Sequence, residues 1–267
     1  MPLIAYRADT DEEVESFTAP AETWAAWREL GAGRFLIGRD RVPAMLKRSS
    51  LGLQFFAAMP GYGGTTAPES IEHQHAKVAL VQGLRAAGFK AHVERPGSTP
   101  SGEEWVADVL AEAGGRTIAF EVQMSRQTWD DYRARTRRYA ASGVKCVWLV
   151  RSTHYCAFAK AKHRHHMRNG MSYHQALNEA LPDMPVFPLV IENAGHDRTF
   201  DFKVVVWTRR EGDPSMRLEP GSFASGTAAG HLHLRRRGLE GMAWEWSPAA
   251  PDDPYEIPDS TACFQPR

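Results

Sequence analysis

The chain reads as an α/β protein built on a mixed central sheet, and three observations carry that reading. Residues 66–88 have a helical start and stop: Thr66 and Ser70 are candidate N-caps, Pro68 and Glu69 suit a first turn, and Gly88 suits the position after the last. Two apolar-rich runs, 104–110 and 117–124, flank Gly114-Gly115, a strong hairpin signal. The second run, a helix opened by Thr128 and closed by Gly143, and the run 144–150 follow as strand, helix, strand. That order requires a parallel pair with a right-handed crossover.

The remaining elements follow along the chain. Residues 1–64 form a mixed N-terminal region with a β signal at Leu3 to Tyr6 and an acidic patch at Asp9 to Glu15. It leaves through Gly61-Tyr62-Gly63-Gly64, a boundary signal. Residues 65–152 are the core, with a strand at Phe89–Glu94 and a loop at 95–102. Residues 153–211 extend it, with a helix at Ser172–Leu181 and strands at Val186–Ile191 and Phe200–Trp207. Residues 212–267, rich in Pro, Gly, Ser and Ala, read as a partly irregular C-terminal extension. His231 to Leu234 alternates like a strand.

Composition narrows the function. Lys plus Arg and Asp plus Glu are 32 each, so a nucleic-acid surface must come from uneven distribution of charge rather than from net charge. Three cysteines, Cys146, Cys156 and Cys263, form no CxxC, which disfavours a disulfide scaffold and fits a cytoplasmic compartment. No secretory leader or membrane span is visible, and no membrane partner is expected.

The hairpin carries the chemistry. Glu121 and Gln123 are two apart on a strand and share a face, whereas Ile118, Phe120, Val122 and Met124 share the other. If Gly114-Gly115 is a two-residue turn, the register sets Asp108 opposite Glu121. Directly opposed side chains have Cβ atoms ~4.5–5.5 Å apart. Two carboxylates so close repel unless a cation lies between them. A hard divalent ion with oxygen ligands is the natural occupant, and Mg²⁺ keeps waters that can attack a phosphate. A one-residue slip would turn Asp108 away. The bland alternative is a solvated outer face.

Several stretches together resemble a known family: Glu72-His73, Lys77, Glu94, Ala107-Asp108-Val109-Leu110, Ala119 to Ser125, Arg135 to Tyr139, Gly143 and Trp148-Leu149-Val150. They are similar to the competence protein CoiA-like family, assigned to the PD-(D/E)XK nuclease superfamily. The likeness covers about 70–152, roughly a third of the chain. It implies a restriction-endonuclease-like core with N- and C-terminal extensions. It implies that Asp108 and Glu121 hold the metal and that Glu72 completes the site. Gln123 stands where many superfamily members have Lys, and Ser125, Arg135 and Tyr139 match positions near the site. Lys offsets developing negative charge, whereas Gln only orients water through hydrogen bonds. Lys77 is a possible substitute charge, although it lies about 140° round the helix from Glu72. His73 reads as either an accessory group or an exposed helix residue. Relatives often carry a Cys-based zinc unit upstream; residues 1–64 contain no Cys.

Between 126 and 168 eleven basic residues face two acidic ones, and the bias continues past the helix. Phosphate neutralisation explains it, which assigns Arg126, Arg133, Arg137, Arg138, Lys160, Lys162 and Arg164 to nucleic acid. The alternative is a solvated helix face. His163, His165 and His166 read as a basic surface loop rather than a metal cluster.

These readings converge on a divalent-metal-dependent nuclease acting on DNA, with Mg²⁺ or Mn²⁺ as cofactor. Glu121→Ala should then abolish cleavage and largely preserve folding. The alternative is a catalytically inactive nucleic-acid-binding module on the same fold. A third reading, a protein-interaction scaffold, predicts no useful DNA affinity.

Overall fold

The structure is a computed structural model, and it describes residues 2–62, 69–194, 199–208, 215–236 and 241–248. Gly63, Gly64, Thr66, Pro68 and Cys263 lie outside these residues.

The N-terminal region folds as β1 (Ile4–Arg7), β2 (Glu13–Glu15), α1 (Ala21–Glu29), β3 (Phe35–Ile37), β4 (Val42–Arg48) and β5 (Gln54–Ala58). Its strands make an antiparallel sheet in the order β2-β1-β3-β4-β5. Trp24, Phe35 and Phe56 form its own small core, with tilted ring contacts of 5.3 and 5.6 Å at Phe56.

The larger unit begins with α2 (Ile71–Ala86), β6 (Lys90–Ser98), β7 (Glu104–Ala113), β8 (Arg116–Gln123), α3 (Trp129–Ala141) and β9 (Val144–Arg151). It continues through α4 (Ser152–Arg168), α5 (Tyr173–Asn178), β10 (Val186–Ala194), β11 (Thr199–Trp207), β12 (Ser215–Leu218), α6 (Pro220–Ala229), β13 (Leu232–Arg236) and β14 (Met242–Trp246). Seven strands form one mixed sheet, β12-β11-β10-β9-β8-β7-β6, in which β8 and β10 run parallel to β9.

The expected signals have their expected effects. Ser70 caps α2 by accepting the His73 N–H at 3.2 Å, and Thr128 with Asp131 forms a reciprocal capping box on α3. Gly114 and Gly115 have φ of +56° and +78°, as a type I′ turn requires. The register follows, from Ala113↔Arg116 to Val109↔Phe120.

Three readings need correction. The loop expected from residue 95 is strand as far as Ser98, because β6 stays paired with the longer β7. The histidine-rich stretch is no loop but part of α4, a helix that buries only Phe158 and His166 and so carries a weak apolar stripe. The helix expected over Ser172–Leu181 is shorter, Tyr173–Asn178. Within the described residues of the C-terminal extension, β12 joins the central sheet and α6 packs on α2.

The central sheet is covered on both faces. Leu80, Val81 and Leu84 of α2 and Phe223 and Ala224 of α6 pack on Ile118, Phe120 and Val122. Tyr132 and Tyr139 of α3 and Phe158 of α4 pack on Ala119, Cys146 and Trp148. Leu3, Ile4 and Phe55 join the first of these cores, so the N-terminal sheet is seated against the larger unit. Arg85 of α2 reinforces the seat with two bonds of 2.6 and 2.7 Å to Glu15 of β2.

The α2–α6 crossing is a backbone contact. A Cβ at Gly83 would lie 2.1 Å from the Gly221 Cα and 2.6 Å from its carbonyl carbon. Neither atom can yield without moving a helix. Gly83→Ala is therefore expected to destabilise the protein by ~3 kcal/mol, read as a lowered urea midpoint. A midpoint equal to that of the wild type would show that the helices part freely.

Candidate active site

Three elements converge within the central sheet, at the end of the β7–β8 hairpin away from its turn: the start of α2, the hairpin strands and the sheet-facing side of α3. The pleat of β7 breaks here. Ala107 packs with the α3-side core and Val109 with the α2-side core, although residues two apart normally share a face. Opposite the break, Glu94 of β6 has a φ of +53°, and pairing passes from Val93↔Val109 to Arg95↔Ala107. The distortion turns Asp108 toward the α2 N-terminus, where its Oδ2 accepts the Val122 N–H at 2.8 Å and meets His73 Nε2 at 3.0 Å.

On α2 the functional side chains form one stripe. His73 and Lys77 are spaced four apart on one helix face, and Glu69, just before the N-cap Ser70, meets both of them. His73 Nδ1 is 3.7 Å from Glu69 Oε1. The Lys77 amine, 0 % exposed, donates to Glu69 and Glu94, both at 2.7 Å. Glu94 also accepts the backbone N–H groups of Leu3 and Ile4. The donor atoms of Glu69, His73 and Asp108 all lie within 4.8 Å of one another, close enough to share one ion.

Glu121 is 0 % exposed on the α3 side of the sheet. Arg135 and Tyr139, four apart on α3, both donate to its carboxylate. The R-x-x-x-Y spacing thereby acquires a physical reason. Arg135 also lies over the Trp148 ring, 4.8 Å from its centroid. Gln123 is 7 % exposed and donates from its amide nitrogen to the Ser125 carbonyl at 2.9 Å and hydroxyl at 3.0 Å. With both N–H groups spent, it can accept a hydrogen bond but has none left to give.

Burial and charge divide the acids. Burial pushes the Glu121 carboxyl up, and the neighbouring Asp108 charge pushes it further, against the pull of Arg135. Burial acts on Asp108 in the same sense, but His73 and Lys77 outweigh it and hold that carboxyl below its ordinary value. Burial lowers His73; Asp108 and Glu69 reverse the sign and raise it. Lys77 and Arg135 are the two permanent cations among Glu69, Glu94, Asp108 and Glu121. The clustered O and N donors of Asp108, Glu69 and His73 fit a divalent cation.

The other expected residues divide. Glu72 is one position from His73, about 100° round the helix, and acts on His75 rather than joining the Asp108 group. Glu69 takes that place; sequence reasoning passed it over as a first-turn acid, although its four-residue spacing from His73 and Lys77 was visible. Arg126, Arg137, Lys160 and Arg164 are exposed. Arg133 pairs with Asp183 at 2.8 Å, and Arg138 donates to the Glu104 carbonyl at 3.3 Å. Lys162 is turned inward, donating to the Leu177 and Glu179 carbonyls at the end of α5. Among the described residues no helix is long and apolar enough to cross a membrane.

No curated protein and no solved structure matches the chain significantly. Residues 69–187 match the family described as competence protein CoiA, nuclease-like domain. That segment runs from Glu69 to the start of β10 and contains every side chain of the site just described, on a mixed sheet flanked by helices. Through this segment, somewhat under half of its length, the chain is similar to the nuclease-like domain of the competence protein CoiA family.

Proposed function

We propose that the protein is a divalent-metal-dependent nuclease that hydrolyses phosphodiester bonds of DNA, acting in the cytoplasm on incoming, recombining or foreign strands. The observation that carries this reading is the convergence of Glu69, His73 and Asp108 beside buried Glu121. A cation held by the first three would supply a Lewis acid for the phosphoryl oxygen and lower the pKa of water. The chain's own residues do the rest. His73 orients Asp108 through its Nε2, and Lys77 fixes Glu69 and Glu94 while limiting the repulsion among them. Arg135 and Tyr139 hold Glu121 in place, and Gln123 receives a hydrogen bond from a water on the same face. Arg126, Arg137, Lys160 and Arg164 supply charge for the strand backbone.

The test is cleavage of labelled linear, circular and branched DNA with Mg²⁺, Mn²⁺ or EDTA. Cutting should require the metal and vanish in EDTA. Because a histidine joins the donor set, Mn²⁺ should support faster cutting than Mg²⁺, which prefers oxygen donors. Salt-sensitive binding without any metal-dependent product would replace this reading with the binding module, and Gln123, lacking the usual cation, would be the reason.

A further inference from the structure

A cavity of about 290 Å³ lies behind Glu121, where the N-terminal sheet meets the start of β7 and α3. Arg39, Glu104, Trp105, Arg135, Arg138 and Tyr139 line it. Three guanidiniums thus face one carboxylate. Arg39 comes from the turn between β3 and β4 and pairs with Glu104, so a side chain of the N-terminal region reaches the larger unit here. Arg135 and Tyr139 form the inner wall, and they are the two side chains that hold Glu121. An anion in this cavity would be one guanidinium away from that carboxylate.

The aromatic wall is fixed. The Trp105 indole N–H donates to Ser142 Oγ at 2.8 Å, and its ring packs on Tyr139 with centroids 5.0 Å apart. Gly97 lies beneath it so closely that a Cβ there would be 2.2 Å from the ring. The volume is close to the lower bound of the ~300–1,000 Å³ of small-ligand sites, a size that suits one nucleotide unit rather than a duplex. A rigid aromatic face beside cationic side chains is the combination that holds single strands.

We propose that this cavity is a subsite for one phosphodiester and its adjoining base in a single nucleic-acid strand. Arg39 and Arg138 hold the phosphate, Trp105 receives the base, and the N-terminal sheet takes part in gripping the substrate. The nature of the ligand rests on the nuclease reading above.

The test is fluorescence anisotropy of a labelled single-stranded oligonucleotide with the full chain in EDTA, across a salt series. Arg39→Gln and Arg138→Gln should each weaken binding about five- to tenfold and reduce the salt slope by ~0.7. Glu104→Gln should tighten binding severalfold by freeing Arg39, a gain that damage to the fold cannot produce. Arg28→Gln, on exposed α1, should change nothing. Wild-type affinity in both cavity variants, an equal loss in Arg28→Gln, or equal competition by inorganic phosphate would overturn the subsite. Metal-dependent cleavage that persists with unaltered KM in Arg39→Gln would sink the subsite and spare the nuclease. Arg39-dependent binding without any cleavage would do the reverse.

Discussion

Asp108→Asn is expected to abolish metal-dependent DNA cleavage while leaving the protein folded. The substitution keeps an oxygen to accept the Val122 N–H, which Asp108 takes at 2.8 Å, so the hairpin retains its bond. It removes the negative charge around which His73, Lys77 and Glu69 are arranged. Lewis-acid stabilisation is worth several kcal/mol. At ~1.4 kcal/mol per tenfold, the loss is on the order of a thousandfold or more. Glu121→Gln should behave similarly. The alanine variant is a poorer probe than the sequence suggested, because Arg135 and Tyr139 would lose their common partner, at a cost of ~2–3 kcal/mol. Single-turnover cleavage with Mn²⁺, alongside a circular dichroism spectrum, checks both substitutions. A folded Asp108→Asn that cuts at the wild-type rate would remove Asp108 from the site.

Lys77→Met should have the largest effect on stability. The shape of the side chain is nearly kept, so packing changes little. The charge is lost, and Glu69 and Glu94 lose their 2.7 Å partner inside the protein. Breaking a buried ion pair from one side costs ~3–5 kcal/mol, because the remaining charge is uncompensated. The damage should spread to the N-terminal strand, since Glu94 also accepts from Leu3 and Ile4. Adding Glu94→Gln removes one of the stranded charges and should restore part of the loss. Urea unfolding of the two single variants and the double variant gives the coupling directly. Lys77→Met as stable as wild type would mean that the amine is not buried among those carboxylates.

The sequence disclosed the parts of the site that depend on local geometry. A glycine pair fixed the hairpin register, a capping box fixed the start of α3, and four-residue spacing joined Arg135 to Tyr139. It hid what depends on distant pieces of chain. The β7 distortion that aims Asp108 has no residue signature of its own, and it made Glu69, rather than Glu72, the partner. The basic run 126–168 looked uniform, yet Arg133, Arg135 and Lys162 are spent on Asp183, Glu121 and the α5 carbonyls. The stretch from 212 onward reads as partly irregular because it is rich in Pro, Gly, Ser and Ala, and within it the small residues of α6 are what allow a helix to touch α2 backbone to backbone. Arg39 was invisible as a site residue because it belongs to another sheet.

The Gly83–Gly221 crossing bears on what can be inherited or cut out as a module. The homologous stretch ends at residue 187, but the helix that backs α2 begins at Pro220. Excised at the homology boundaries, the stretch would present Leu80, Leu84 and Phe120 to water where Phe223 and Ala224 now cover them. The unit that folds is therefore larger than the unit that is recognisably shared. In this chain the tail serves as scaffolding, and an exchange of domains that respected only the shared stretch would yield an aggregating fragment.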